Sequence, residues 1–137
     1  MRRAFSRLGD ATVQPLFLNR LEINGIKLHN LHIIKNTALE KLYSAGRFTL
    51  FSQKEYVTLV VDFLERLDPE IVVQRLTGET YRAITVAPEW SVNKIGVHNA
   101  IHKELEERDS WQGKYQPKNP MQDPGSASLQ GIEGARL

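Results

Sequence analysis

The sequence predicts an α/β fold with the element order β-α-α-β-β-α, and three observations carry that prediction. Two apolar runs, one from Ile26 to Ile34 and one from Ile71 to Leu76, have strand length and end or abound in β-branched residues. Between them lies a segment from Ser52 to Leu67 with a helical apolar stripe. A strand, a helical crossover and a second buried strand make a βαβ unit, so the two strands are expected to be parallel with a right-handed crossover.

Composition bounds the reading. The 137 residues suit one small domain, and 41% hydrophobic content suffices for a core. Eighteen basic against sixteen acidic residues leave a net charge of only +2, which neither implies nor excludes nucleic acid. There is no cysteine, so disulfides, thiolate metal sites, thiol nucleophiles and ordinary iron–sulfur ligation are excluded for this chain. No apolar run reaches the ~18 residues of a membrane span, so no membrane is expected. Arg2, Arg3 and Arg7 near the start are not followed by the apolar core of a secretory signal. A cytoplasmic location is the default expectation.

The elements follow in order. Residues 1–15 show no clean period and read as an irregular N-terminal segment. Leu16–Leu21 reads as the end of a helix, and Asn24-Gly25 as a turn into the first strand. Period-two alternation along that strand puts Lys27, His29, Leu31 and Ile33 on one face, and Ile26, Leu28, Asn30, His32 and Ile34 on the other. Thr37 and Glu40 have capping-box spacing for a short helix ending at Gly46, with Leu39, Leu42 and Tyr43 on its buried side. Ser52 and Glu55 form a second capping box, opening the helix whose Tyr56, Val57, Val60, Val61, Phe63, Leu64 and Leu67 face the core. Asp62, Glu65 and Arg66 mark its wet side, and Asp68-Pro69 stops it.

After the second strand, Thr77–Thr80 reads as a turn, and Arg82–Ala87 as a weaker strand returning antiparallel, because the connection is too short for a crossover helix. Ser91 is the expected cap of the last helix, with Ile95, Val97, Ile101 and Leu105 as its apolar side. The α/β domain thus spans residues 16–116. From Pro117 to Leu137, Pro117, Pro120, Pro124, Gly125, Gly131 and Gly134 without periodicity read as a disordered tail.

Four segments together resemble a known family. Lys27-Leu28-His29-Asn30-Leu31-His32-Ile33-Ile34-Lys35-Asn36-Thr37 is similar to a K-x-H-x-L-H-(I/V)-(I/V)-K-G-T segment. Arg75-Leu76-Thr77-Gly78-Glu79 is similar to R-L-T-G-(D/E), and Ala87-Pro88-Glu89-Trp90-Ser91-Val92-Asn93-Lys94 to A-P-x-W-S-x-N-K. The stretch Glu107–Tyr115 is similar to a closing E-R-x-(S/T)-x-Q-G-x-x-(Y/F). In this order and spacing they resemble the C-terminal part of the YhcC-like radical S-adenosylmethionine (SAM) proteins.

The resemblance implies a fragment of a partial (β/α) barrel: its last strands and the C-terminal extension, lacking the cluster-binding half. It implies SAM and a 4Fe–4S cluster as cofactors of full-length members, with none bound by this chain alone, since a cysteine-free chain cannot hold the cluster in the family's way. Lys27, His29 and Arg75 would then rim the lumen at the strand ends and hold a ligand carboxylate or phosphate. Structural ion pairs are the competing account of the same residues. The implied role is barrel wall and substrate-side surface, not catalysis alone. The alternative is a partner-binding or regulatory module derived from that domain, and a third reading is a small enzyme using the same three residues on an anionic substrate. The expected partner is the missing N-terminal half, or another protein, along an open sheet edge. An RNA substrate follows only by analogy at the level of fold.

The remaining candidates point away from metal chemistry. His98 and His102 stand four apart on one helix face, a spacing that suits a metal, but without a third ligand a solvated face is the better reading. His29 and His32 fall on opposite faces of a strand and would not share a ligand. No phosphate loop or nucleophile elbow is present.

Overall fold

A computed structural model describes residues 14–116. The tail expected from Pro117 lies outside the described residues, as do residues 1–13 of the N-terminal segment. Residues 14–18 are helical (α1), followed by β1 (Gly25–Lys27), β2 (Ile33–Ile34), α2 (Ala38–Ser44), α3 (Gln53–Arg66), β3 (Val72–Arg75), β4 (Thr85–Ala87), a 3₁₀ turn (Glu89–Val92) and α4 (Lys94–Glu107). The result is an α/β arrangement with no closed barrel among the described residues.

The strands form two small sheets. β1 and β3 pair in parallel across the α2–α3 connection, as the βαβ reasoning requires. β2 and β4 pair antiparallel, with Ile33 opposite Ala87 and Ile34 opposite Thr85. The antiparallel return of the last strand is therefore observed, but against β2 rather than β3. The expected single strand from Ile26 to Ile34 is the main correction. Its register with β3 already shifts between Ile26 and Lys27, and it leaves the ladder after Lys27. Beyond that point a side chain, the Asn30 amide, takes the hydrogen bonds that a backbone ladder would have made.

The helices follow their caps closely. Ser52 accepts from the Glu55 N–H at 3.2 Å and Glu55 accepts from the Ser52 N–H at 2.9 Å, a complete capping box. In α2 only half the predicted box forms. Thr37 accepts from the Glu40 N–H, but Glu40 reaches the N–H of Asn36 instead of Thr37. Asn36 itself sits at φ 61, where the motif it resembles has glycine; asparagine is among the few residues that tolerate that region. Gly46, at φ 69, closes α2, and the Arg47 N–H returns to the Leu42 carbonyl. The expected buried side of α2 is absent: none of its residues is buried, and Leu42 is exposed.

The core lies between α3 and α4. Tyr56, Val57, Val60, Val61, Phe63, Leu64, Leu67 and Ile71 pack with Val97 and Ile101. Burying an aliphatic side chain of this kind stabilises by about 1.5–3 kcal/mol, so this one layer supplies most of the hydrophobic stabilisation. Two expectations for α4 are corrected. Its cap is Asn93, which accepts from the Gly96 N–H at 3.0 Å, while the Ser91 hydroxyl donates to the Pro88 carbonyl inside the 3₁₀ turn. That turn displaces the helix start by two residues and leaves Ile95 75% exposed.

Glu65, expected on the wet face of α3, is only 4% exposed. The chain after α4 folds back over it. Ser110 Oγ donates to Glu65 at 2.7 Å, and the Gly113 and Tyr115 N–H groups donate to the Leu64 and Glu65 carbonyls. Gln112 Nε2 donates to the carbonyls of Asp68 and Ile71 at 2.8 and 2.7 Å. Arg108 donates to Asp62 at 2.6 Å and to Glu104 at 2.8 Å, and lies 3.5 Å from Glu65. Burial lowers the pKa of Arg108, but its hydrogen bonds to Asp62 and Glu104 outweigh that effect and hold it above the ordinary arginine value.

Candidate functional site

The site grows from the parallel pairing of β1 and β3. Parallel strands end on the same side, so the segments after Lys27 and Arg75 emerge together. Lys27 and Arg75 are register partners, and the Leu28 N–H donates to the Arg75 carbonyl at 2.8 Å. The two segments then run side by side and are joined by one side chain. Asn30 Oδ1 accepts from the Thr77 hydroxyl at 2.8 Å and from the Gly78 N–H at 3.0 Å. A backbone N–H can only donate, which fixes the amide's orientation and turns its Nδ2 away. That Nδ2 is buried without a hydrogen-bond partner, as is His32 Nε2.

Gly78 is what lets the two segments close on each other. A Cβ there would lie 2.8 Å from His32 Cε1, 3.3 Å from His29 Nδ1 and 3.4 Å from Asn30 Oδ1. Both imidazoles therefore converge on one buried glycine. This overturns the assignment of His29 and His32 to opposite faces: the alternation ceases where β1 ends, and the loop brings both rings to the same side. Burial lowers the pKa of His32 below 6.5, and the neighbouring His29 lowers it further, so His32 is neutral at pH 7.

Charge gathers at the rim. Arg75 Nη1 lies 3.5 Å from His29 Nε2; the guanidinium can only donate, so this ring nitrogen is the acceptor. Lys94, the first residue of α4, donates to Glu79 in an ion pair between half-exposed side chains. The hydrogen bond from Lys94, then the charges of Lys94 and Arg75, hold the Glu79 carboxyl below its ordinary range. Beneath the loop, the buried Tyr56 donates to the Leu76 carbonyl at 2.6 Å, and its ring stacks on Trp90 at 5.3 Å. Burial pushes the Tyr56 phenol up to about 12, against an opposing contact from Thr77.

Of the three residues singled out from sequence, Arg75 and His29 touch, and exposed Lys27 stands beside Arg75 in the register. Asn30, His32, Gly78, Glu79 and Lys94 complete the cluster and were not singled out as site residues. Their only signal was that they fall within three segments of one resemblance, whose meeting in space the sequence does not show. His98 and His102 do not form a site: His102 is exposed, whereas His98 is half-buried with Nε2 unpartnered. Among the described residues no group of three or more histidine or acidic side chains could hold a metal ion.

Comparison with known proteins agrees with the segment resemblance. The family model described as the Radical_SAM C-terminal domain matches residues 23–107. The uncharacterized protein YtqA of Bacillus subtilis is 47% identical over 95 residues, covering 69% of this chain and 30% of that protein. The uncharacterized protein MJ0486 of Methanocaldococcus jannaschii is 35% identical over 97 residues, 70% of this chain and 30% of the relative. Protein YhcC of Escherichia coli is 31% identical over 72 residues, 53% of this chain and 23% of the relative. The chain thus spans less than a third of the length of these curated relatives.

Proposed function

The chain belongs to the radical SAM C-terminal domain family, and on that premise we propose that it supplies the substrate-side wall of a radical SAM protein and no catalytic centre of its own. The family implies SAM and a 4Fe–4S cluster for full-length members, the cluster supplying the electron that cleaves SAM. The donor set here does not fit that cluster, because there is no thiolate among the 137 residues. No chemical step is therefore assigned to this chain. Its own residues bind and orient.

One observation carries the reading: the convergence of His29, Asn30 and His32 on Gly78 at the C-terminal ends of two parallel strands. Ligands of parallel α/β folds bind at that side, where loops from several strands meet. The two loops are tied by Asn30, so the polar groups they carry are held in place before a ligand arrives. Lys27, His29 and Arg75 present positive charge and imidazole nitrogen at the rim, which suits an anionic substrate group.

The test is a chimera in which residues 23–107 replace the matched segment of the Bacillus subtilis relative. With its cluster reconstituted, the chimera should cleave SAM reductively in the presence of substrate, and Arg75→Ala should lower that turnover while leaving the cluster spectrum intact. The free chain should show none. An Arg75→Ala chimera indistinguishable from its parent would refute the assignment.

A second reading, a partner-binding or regulatory module, is favoured by a different feature. Tyr81, Ile84 and Val86, leading into and along β4, are all exposed, at 78%, 43% and 39%. Affinity capture by the rest of the radical SAM protein supports the first reading; capture of an unrelated protein through Tyr81 supports the second.

A further inference from the structure

The acid–base balance at the strand ends is lopsided. Lys27, Arg75 and Lys94 bring three cations to the rim, and His29 adds an imidazole. Among the described residues, the carboxylate that answers them is Glu79, paired with Lys94. Arg75 makes no ion pair there; its guanidinium contacts the ring of His29 instead. The placement of Glu79 is not that of a loose surface acid. It follows Thr77 and Gly78, both buried and both held by Asn30, so the backbone that carries its side chain is fixed. The side chain itself remains half-exposed, as does Lys94, so both can be reached and parted.

We infer that Lys94, Arg75 and His29 form a subsite for a ligand oxyanion, carboxylate or phosphoryl, and that the Glu79 carboxylate occupies it as an internal stand-in until the ligand displaces it. The inference rests on the strand-end reading above and adds to it two residues, Glu79 and Lys94, and a mode of entry. Guanidinium and ammonium groups both recognise such oxyanions, the first through paired donors and the second as a compact charge. A half-exposed ion pair is a weak barrier, so displacement is accessible to a modest ligand. Glu79 also lowers the empty site's attraction for stray anions, because part of the positive field is answered in the absence of ligand.

The experiment uses the full chain, isotopically labelled, with inorganic phosphate and acetate as separate probes. Amide shifts of Gly78, Glu79 and Lys94 and the ring signals of His29 report binding. Glu79→Gln, which removes the competitor without changing shape, should tighten binding about twofold to fivefold. Lys94→Gln, at an exposed position that does not threaten folding, should weaken it about fivefold or more. Tighter binding of phosphate than acetate assigns a phosphoryl ligand, and the reverse a carboxylate. The inference is overturned if Glu79→Gln binds neither probe better than the native chain, or if the shifts scatter over surface lysines away from Gly78. If the probes fail while the chimera behaves as expected, only the subsite falls. If the probes bind while the chimera fails, the radical SAM role falls and the anion site remains.

Discussion

Replacing Gly78 by alanine tests the central geometry directly. The backbone at Gly78 is not in the left-handed region, so alanine meets no conformational strain there. On backbone grounds alone the substitution would stabilise by about 0.4–1 kcal/mol, through the less flexible unfolded chain. The added Cβ, however, would stand 2.8 Å from His32 Cε1, and carbon atoms rest at about 3.5–4.0 Å, so the ring must withdraw by roughly 0.7 Å or more. His29 and Asn30 crowd the same methyl from 3.3 and 3.4 Å, leaving the imidazole little room to retreat on that side. Overpacking of this kind costs about 1–3 kcal/mol. If the loop yields instead, the bond from the Gly78 N–H to Asn30 is lost, at about 1 kcal/mol. The expected net effect is destabilisation by up to about 2.5 kcal/mol, once the backbone gain is subtracted. Urea unfolding measures it, and the Cε1–H resonances of His29 and His32 show whether both rings move. A variant as stable as the native chain or more so, with both resonances unshifted, would refute the claim that these side chains converge on the glycine.

Two further outcomes follow from the same contacts. Arg108→Met strips Asp62 and Glu104 of their guanidinium partner and leaves the buried Glu65 with Arg66, 3.6 Å away, as its remaining cation, so stability should fall by about 1–3 kcal/mol; equal midpoints in urea would count against the network. His32 gives a pH signature. Its folded-state pKa is depressed below 6.5, so as pH falls beneath 6.5 the unfolded chain takes up a proton that the folded chain resists. Its contribution is therefore complete above pH 6.5 and declines below it, and His32→Gln should flatten that part of the stability profile; identical slopes in the two proteins would refute the burial of the ring.

The parts of the fold legible in sequence were those written in local chemistry. The Ser52–Glu55 capping box and the apolar period through Tyr56, Val60, Phe63 and Leu67 located α3, because caps and stripes act within one turn or one face. The parallel pairing of β1 with β3 was legible because a helical crossover leaves few alternatives. What was hidden depended on residues far apart in the chain. Nothing near Asn30 announces that Thr77 and Gly78, more than forty positions on, will bond its amide and end the strand. Glu65 looks like a surface residue until Ser110 and Arg108 fold over it. At α4 the expected cap, Ser91, bonds inside a 3₁₀ turn that the sequence did not announce, and the helix is capped two residues later by Asn93. His29 and Arg75 were found because charged and imidazole groups inside an apolar run are conspicuous; Gly78 was not, since its importance lies in an atom it lacks.

The closing segment bears on the site although it does not touch it. A helix end leaves its last carbonyls without intrahelical partners. At the end of α3 these are answered from outside: Leu64 by the Gly113 N–H, Glu65 by the Tyr115 N–H, and Arg66 by Asn19 Nδ2 at 2.9 Å. Asn19 also accepts from the Asp68 N–H at 2.8 Å, and Gln112 bonds the carbonyls of Asp68 and Ile71. Gly113 makes its contact at φ 87, and a Cβ there would lie 2.8 Å from Pro69 Cδ, so both its backbone and its space call for glycine. The turn from α3 into β3 is thus clamped from both flanks of the domain. Since β3 begins at Val72, directly after the clamp, its register against β1 is set there, and with it the positions of Arg75, Thr77 and Gly78 opposite Lys27, His29 and Asn30. A one-residue slip in a strand turns every side chain to the other face, which would carry Arg75 away from His29. Asn19, Gln112 and Gly113, which touch the turn itself, are therefore expected to position the strand ends. Loosening them should disturb the histidine resonances at the strand ends as well as lower stability, whereas a clamp that served stability alone would leave the folded-state resonances of His29 and His32 where they were.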